Sequence, residues 1–190
     1  MTRRHDLTRR GRGLRRAMGW TTLLLSALLG VAAAPATAQS QPCHLVFGQA
    51  RNESAPGTPD WEALNQDFNS QVAHALEAAG RRAESMTVPA LVIDPQTAGL
   101  ALLQRADELG CRTLVETTVF ADDQQTLVLR LRVYPLLPQL GEDASIVGLR
   151  IGSPLFVTQR EFELDALARI RPGLIGEQMA GEYLQRDAGR

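Results

Sequence analysis

The chain has 190 residues, of which 44% are hydrophobic and only 5% aromatic, and 20 Lys plus Arg against 21 Asp plus Glu give a formal net charge of −1. Seven of the arginines fall between Arg3 and Arg16, so residues 39–190 hold 13 arginines, no lysine and 20 acidic residues, a net charge of −7. An acidic, lysine-free surface argues against nucleic acid or an anionic membrane as the partner.

The arginine-rich start is followed by an apolar run, residues 20–34, and by Ala36-Thr37-Ala38. That run falls short of the ~20 residues a permanent transmembrane helix needs. Charge, run length and small-residue site together predict a cleaved signal peptide over 1–38, with the cut between Ala38 and Gln39. The expectation is therefore a periplasmic chain with no stable membrane span after processing. Residues 39–190 form one α/β domain, long enough to bury roughly two thirds of the unfolded surface.

Both cysteines, Cys43 and Cys111, lie beyond the cut. An exported chain meets an oxidising compartment, which makes a disulfide the first reading. Two free thiols, or a metal site completed by His44 and His74, are the competing readings. Two cysteines so far apart lack the close paired spacing of structural zinc sites. Ser40-Gln41-Pro42 ahead of Cys43 is not a lipid-attachment signal.

Residues 44–50 form a short apolar strand closed by Gly48, and 51–59 have loop composition. Thr58 and Pro59 are expected to cap the next helix. Trp61, Leu64, Phe68, Val72, Ala75, Leu76 and Ala79 then gather on one helical face, and Gly80 ends the element. A weaker strand is expected over 86–93, with Pro89 suggesting an edge. Asp94-Pro95 caps a second helix whose buried stripe is Leu102, Ala106 and Leu109, closed by Gly110. A third strand over 112–120 completes a strand-helix-strand-helix-strand alternation, which implies parallel strands.

The next segment reads as a hairpin. Leu127, Leu129, Leu131 and Val133 alternate with Val128, Arg130, Arg132 and Tyr134, a period of two with one buried face. Matching Val115 and Val119 to the leucines requires an odd-numbered turn around 122–124 and leaves Glu116 opposite Arg130 or Arg132. Residues 135–144, with two prolines and a glycine, read as loop. Strand candidates over 145–151 and 155–162 are either a hairpin or one long bent strand. A final helix over 165–185 should break at Pro172-Gly173. The fold class is α/β (α+β), a two- or three-layer sandwich on a mixed sheet.

Three pieces of this pattern carry a resemblance. They are Leu45-Val46-Phe47 leading to Asn52-Glu53-Ser54, the helix 61–79, and the run Ala106-Asp107-Glu108-Leu109-Gly110-Cys111 feeding a Thr-rich strand and hairpin. Over residues 45–134 the chain resembles the small bacterial cell-envelope α/β modules of the TolB amino-terminal domain, CsgG and LpoB. The resemblance implies a periplasmic protein-binding or scaffolding role, and it transfers no catalytic residue. It also implies that the first strand lies beside the third, with Cys43 and Cys111 at the same ends of neighbouring strands, ~4.8 Å apart and within disulfide reach.

Signals of catalysis are lacking. The sequence has no Gly-x-Ser-x-Gly elbow, phosphate-binding glycine loop or His-Glu-x-x-His, and Cys43-His44 is only a sequence neighbour pair. No catalytic residue, metal site or cofactor is assigned. Asp122-Asp123 and Glu142-Asp143 read as turn residues. Glu116, Arg130, Arg132 and Tyr134 are the candidate partner surface, because arginine and tyrosine are favoured where proteins meet. A plain solvated sheet face is their alternative reading. The expected function is a non-catalytic binding or assembly module contacting envelope proteins, in an oligomeric state the sequence leaves open. The alternative is a small-ligand binder or enzyme with a cleft near the 52–58 loop, at the carboxyl end of the first strand.

Overall fold

The computed structural model describes residues 43–49, 51–53, 55–88 and 94–189. The expected signal peptide, its Ala38–Gln39 cleavage site, Ser54 and residues 89–93 lie outside the described residues. The elements run β1 (Cys43–Gln49), α1 (Trp61–Ala78), β2 (Arg82–Val88), α2 (Pro95–Glu108), β3 (Cys111–Ala121), β4 (Thr126–Leu140), β5 (Ile146–Ile151), β6 (Phe156–Glu163), a 3-10 segment Leu164–Ala168, and α3 (Pro172–Ala188). They build an α+β fold on one mixed sheet of six strands ordered β2-β1-β3-β4, with β5 and β6 both pairing with β4. β1 is parallel to β2 and to β3, and β4 is antiparallel to β3, β5 and β6.

Side-chain alternation divides the core in two. Val46, Val115, Val119 and the odd-numbered residues Leu127 to Val133 of β4 pack with Phe68, Val72 and Leu76 of α1 and Met179, Ala180 and Tyr183 of α3. On the opposite face, Cys43, Leu45, Cys111, Leu114, Leu136 and Leu149 pack with Leu102 and Ala106 of α2. A register shift between Cys43 and His44 sets Cys43 opposite Cys111. The two are joined in a disulfide, and both are almost fully buried.

Local chemistry explains most boundaries. Asp94 accepts the amide protons of Gln96 and Thr97 at the start of α2. Its carboxyl is held below the ordinary aspartate range, first by the Thr97 hydroxyl and then by the Gln96 amide. Gly80 and Gly110, at φ 77° and 67°, end α1 and α2 in the left-handed region that only glycine adopts without strain. α3 has no side-chain cap of its own, and Asp67 of α1 supplies one by accepting the Gly173 amide proton at 2.8 Å.

Three expectations need correction. α1 is capped by Asp60, whose carboxylate accepts the Ala63 amide, while the Thr58 hydroxyl is tied into the preceding turn through Ala55. β2 begins at Arg82, not 86, because an edge strand paired on one side tolerates the polar Arg-Ala-Glu-Ser run. β4 runs through Pro135 and Pro138 to Leu140, where a loop was expected. Among the described residues β5 is the one partner of β4 beyond Pro135, so Pro138 lies at an edge where proline is tolerated, while Pro135 is the last residue of β4 paired with β3. Of the two readings open for 145–151 and 155–162, the structure takes the second: β5 and β6 run in the same direction along one side of β4 and form one interrupted strand.

Gly152 marks that interruption. Its amide bonds the Pro135 carbonyl, and between the Leu136–Ile151 and Val133–Phe156 pairs the outer strand advances five residues against three on β4, an excess of two. Two is an even number, and the faces of β5 and β6 therefore stay in phase.

Two glycines of α3 allow a matched test. A methyl on Gly176 would lie 2.8 Å from the Phe68 ring and 3.0 Å from its carbonyl oxygen, whereas nothing lies within 4 Å of one on Gly181. Gly176→Ala is expected to destabilise by about 1–3 kcal/mol through overpacking. Gly181→Ala is expected to be neutral or to stabilise by up to about 1 kcal/mol through helix propensity. Urea denaturation of the pair decides it, and equal effects would contradict this packing of α1 on α3.

Candidate functional site

The second core cluster ends at Phe47, Met86 and Tyr134. Beyond it the same sheet face continues across β3, β4 and β6. The β3–β4 register pairs Leu114 with Tyr134, Glu116 with Arg132, Thr118 with Arg130, and Phe120 with Val128. The β4–β6 register sets Val157 beside Arg132 and Gln159 beside Arg130. The odd turn the sequence required is present: Ala121 pairs with Leu127 around a turn in which Asp122 Oδ1 accepts the Gln124 and Thr126 amides.

The structure brings three of the four candidate residues into contact. Tyr134 donates its hydroxyl proton to Glu116 Oε2 at 3.0 Å, and Arg132 Nη1 lies 3.7 Å from the same oxygen. An ion pair this open to solvent contributes under about 1 kcal/mol to stability. Burial pushes the Tyr134 phenol above its ordinary value; the Arg132 hydrogen bond opposes that shift and the Glu116 charge adds to it.

Arg130 differs from its neighbours. Its guanidinium packs over the Phe120 ring, 5.5 Å from the centroid, and Arg51 packs over the same ring at 5.1 Å. Its Nε and Nη2 atoms are buried and have no hydrogen-bond acceptor among the described residues. Burial first, then the charges of Arg132 and Arg51, pull this guanidinium below its ordinary pKa, against the opposing influence of Glu116 and Tyr134. A partly buried cation with donors left unpaired is a cost to folding rather than a gain. On the edge strand Val157, paired with Arg132, is 53% exposed, and Ile151, paired with Leu136 further along the same face, is 43% exposed.

The other candidate residues are placed as follows. Cys43 and Cys111 lie under α2 in their disulfide. His44 points to the opposite face from Cys43, with Nε2 3.2 Å from the Tyr183 hydroxyl, so no cysteine–histidine pair forms. His74 is exposed on α1. Among the described residues, no group of three His, Cys, Asp or Glu could hold a metal ion, and no helix is long and apolar enough to cross a membrane.

At the 52–58 loop there is a depression of about 210 Å³ bordered by Asn52, Thr58, Trp61 and Gln125. Asn52 uses its amide to bond the Ala121 carbonyl and amide, and Thr58 is tied to Ala55, so these polar groups serve the backbone.

Sequence reasoning missed Arg51, Phe120 and the buried asparagines of α1. Phe120 shares its parity with Glu116 and was within reach of the alternation argument. Asn65 donates to the Val119 carbonyl and accepts the Val119 amide, both at 2.8 Å. Among the described residues β1 pairs with β3 as far as Thr117. Asn65 and Asn52 thus act in place of the missing strand at Val119 and Ala121. Their signal was polar residues inside an apolar stripe, Asn65 and Asn69 four apart on α1.

No family model and no curated protein sequence matches the chain. Among solved structures it is similar to PelC from Paraburkholderia phytofirmans, described as a dodecamer, at 12% identity, covering 76% of this chain and 86% of that one with a TM-score of 0.35. It is also similar to the hypothetical protein CT253 from Chlamydia trachomatis, at 10% identity, covering 78% and 96% with a TM-score of 0.38.

Proposed function

We propose that the chain is a non-catalytic binding or assembly module of the bacterial cell envelope, acting in the periplasm through protein contacts on the β3–β4–β6 face, in the manner of the TolB amino-terminal, CsgG and LpoB modules it resembles. The observation that carries the reading is Arg130, a partly buried cation with two unaccepted donors, set among Arg51, Arg132, Glu116 and Tyr134. Arg and Tyr grouped beside exposed aliphatic side chains are the composition of protein interface centres. The disulfide supports an oxidising compartment.

The test pairs binding with stability. Arg130→Glu combined with Val157→Asp removes no hydrogen bond between the described residues, so thermal stability should move by no more than about 1 kcal/mol. Envelope proteins that crosslink to the wild-type chain in intact cells should be lost with the variant. An unchanged set of crosslinked partners would refute the reading.

A further inference from the structure

We infer that the Nε–Nη2 edge of Arg130 receives a carboxylate from an acidic segment of a partner protein, with Val157 beside it, and Ile151 further along the same strand, receiving aliphatic side chains. The inference rests on the partner-surface reading above and adds the partner's chemistry. Nε and Nη2 are the two donors of a guanidinium's side-on fork, and their parallel N–H bonds match the two oxygens of one carboxylate. Both are the atoms left without an acceptor among the described residues.

Charge complementarity favours an anion. Arg51 and Arg132 are both close enough to act on Arg130, and Glu116, within reach of Arg132, is the carboxylate that acts on it. The patch is locally cationic on a chain whose residues 39–190 are net acidic. An incoming carboxylate would satisfy two donors and relieve repulsion among three guanidiniums. Because the fork is buried, a side chain has to move to admit it. Arg51 is exposed and sits on a loop, outside the strands that hold Arg130 and Arg132.

Apolar neighbours favour a protein segment over a free anion. Ile151 and Val157 belong to the edge strand formed by β5 and β6, on the same face as Arg132. A bare phosphate or acetate leaves those side chains in water, whereas an acidic residue flanked by aliphatic ones covers them.

The experiment selects displayed random peptides on the immobilised, oxidised chain and measures the affinity of the most enriched one. Enriched sequences should carry Asp or Glu next to aliphatic residues. Arg130→Gln should weaken the best peptide by about tenfold or more. Replacing the peptide's acid by its amide should do the same, and the two changes together should cost little more than either alone. Arg130→Lys, which keeps the charge but not the fork, should lose most of the affinity while melting like wild type.

Peptides without acidic residues, no enrichment, or an Arg130→Gln affinity within about twofold of wild type would overturn the inference. Competition by inorganic phosphate as effective as that of the peptide would overturn the commitment to a protein segment. Val157→Asp separates the two claims. If acid-free peptides are selected and lost on Val157→Asp, the partner face stands and the carboxylate inference falls. If binding ignores both Arg130 and Val157, both fall.

Discussion

Removing the Cys43–Cys111 disulfide, by reduction or by Cys43→Ala with Cys111→Ala, is expected to lower the unfolding free energy by about 4 kcal/mol. The bridge closes a loop of sequence separation 68, which contains α1, β2 and α2. Opening it releases that whole segment in the unfolded ensemble, and the entropy gained grows with the logarithm of loop length. A loss of this size is a large share of the 5–15 kcal/mol margin typical of small domains. Urea denaturation of oxidised and reduced protein, followed by circular dichroism, reads it directly. Coincident curves would show that the hydrogen-bonded pairing of β1 with β3 holds these strands without the bridge.

Asn65→Leu is expected to destabilise by about 3 kcal/mol, although it exchanges a polar residue for an apolar one in a helix core. The change orphans the buried amide and carbonyl of Val119, each costing about 1–3 kcal/mol, while leucine recovers a part through burial and helix propensity. Asn52→Ala breaks the equivalent pair at Ala121, but those residues are half-buried and water can replace the side chain. Its effect should stay under about 1 kcal/mol. If Asn65→Leu were as mild as Asn52→Ala, the side chain would not be standing in for the absent strand.

The same comparison shows what the sequence made legible. The β3–β4 register was readable because period two is strict: once Val115 and Val119 were assigned to the leucine face, Glu116 had to meet the arginines. Asp94-Pro95 was readable because a cap acts through its own neighbouring amides. What could not be read depends on neighbours distant in sequence. Pro135 and Pro138 look like loop until β4 is seen to pair with β3 as far as Pro135 and with β5 beyond it. β5 and β6 could be a hairpin or one strand until Gly152 is seen to bond Pro135. Arg51 carries no local signal, since only the folding of its loop over Phe120 adds it to the cluster. The candidate surface was thus visible as a set of residues on one face, and its most telling feature, the unaccepted donors of Arg130, was not.

The most direct test of the partner face is site-specific photo-crosslinking in the native cell envelope, with the crosslinking amino acid placed at Val157 and, as a control, at Glu77 on the exposed side of α1. The account predicts a discrete crosslinked protein from position 157 that is absent from position 77 and disappears when Arg130→Glu is added. Identical products from both positions, or a Val157 product that survives Arg130→Glu, would contradict it.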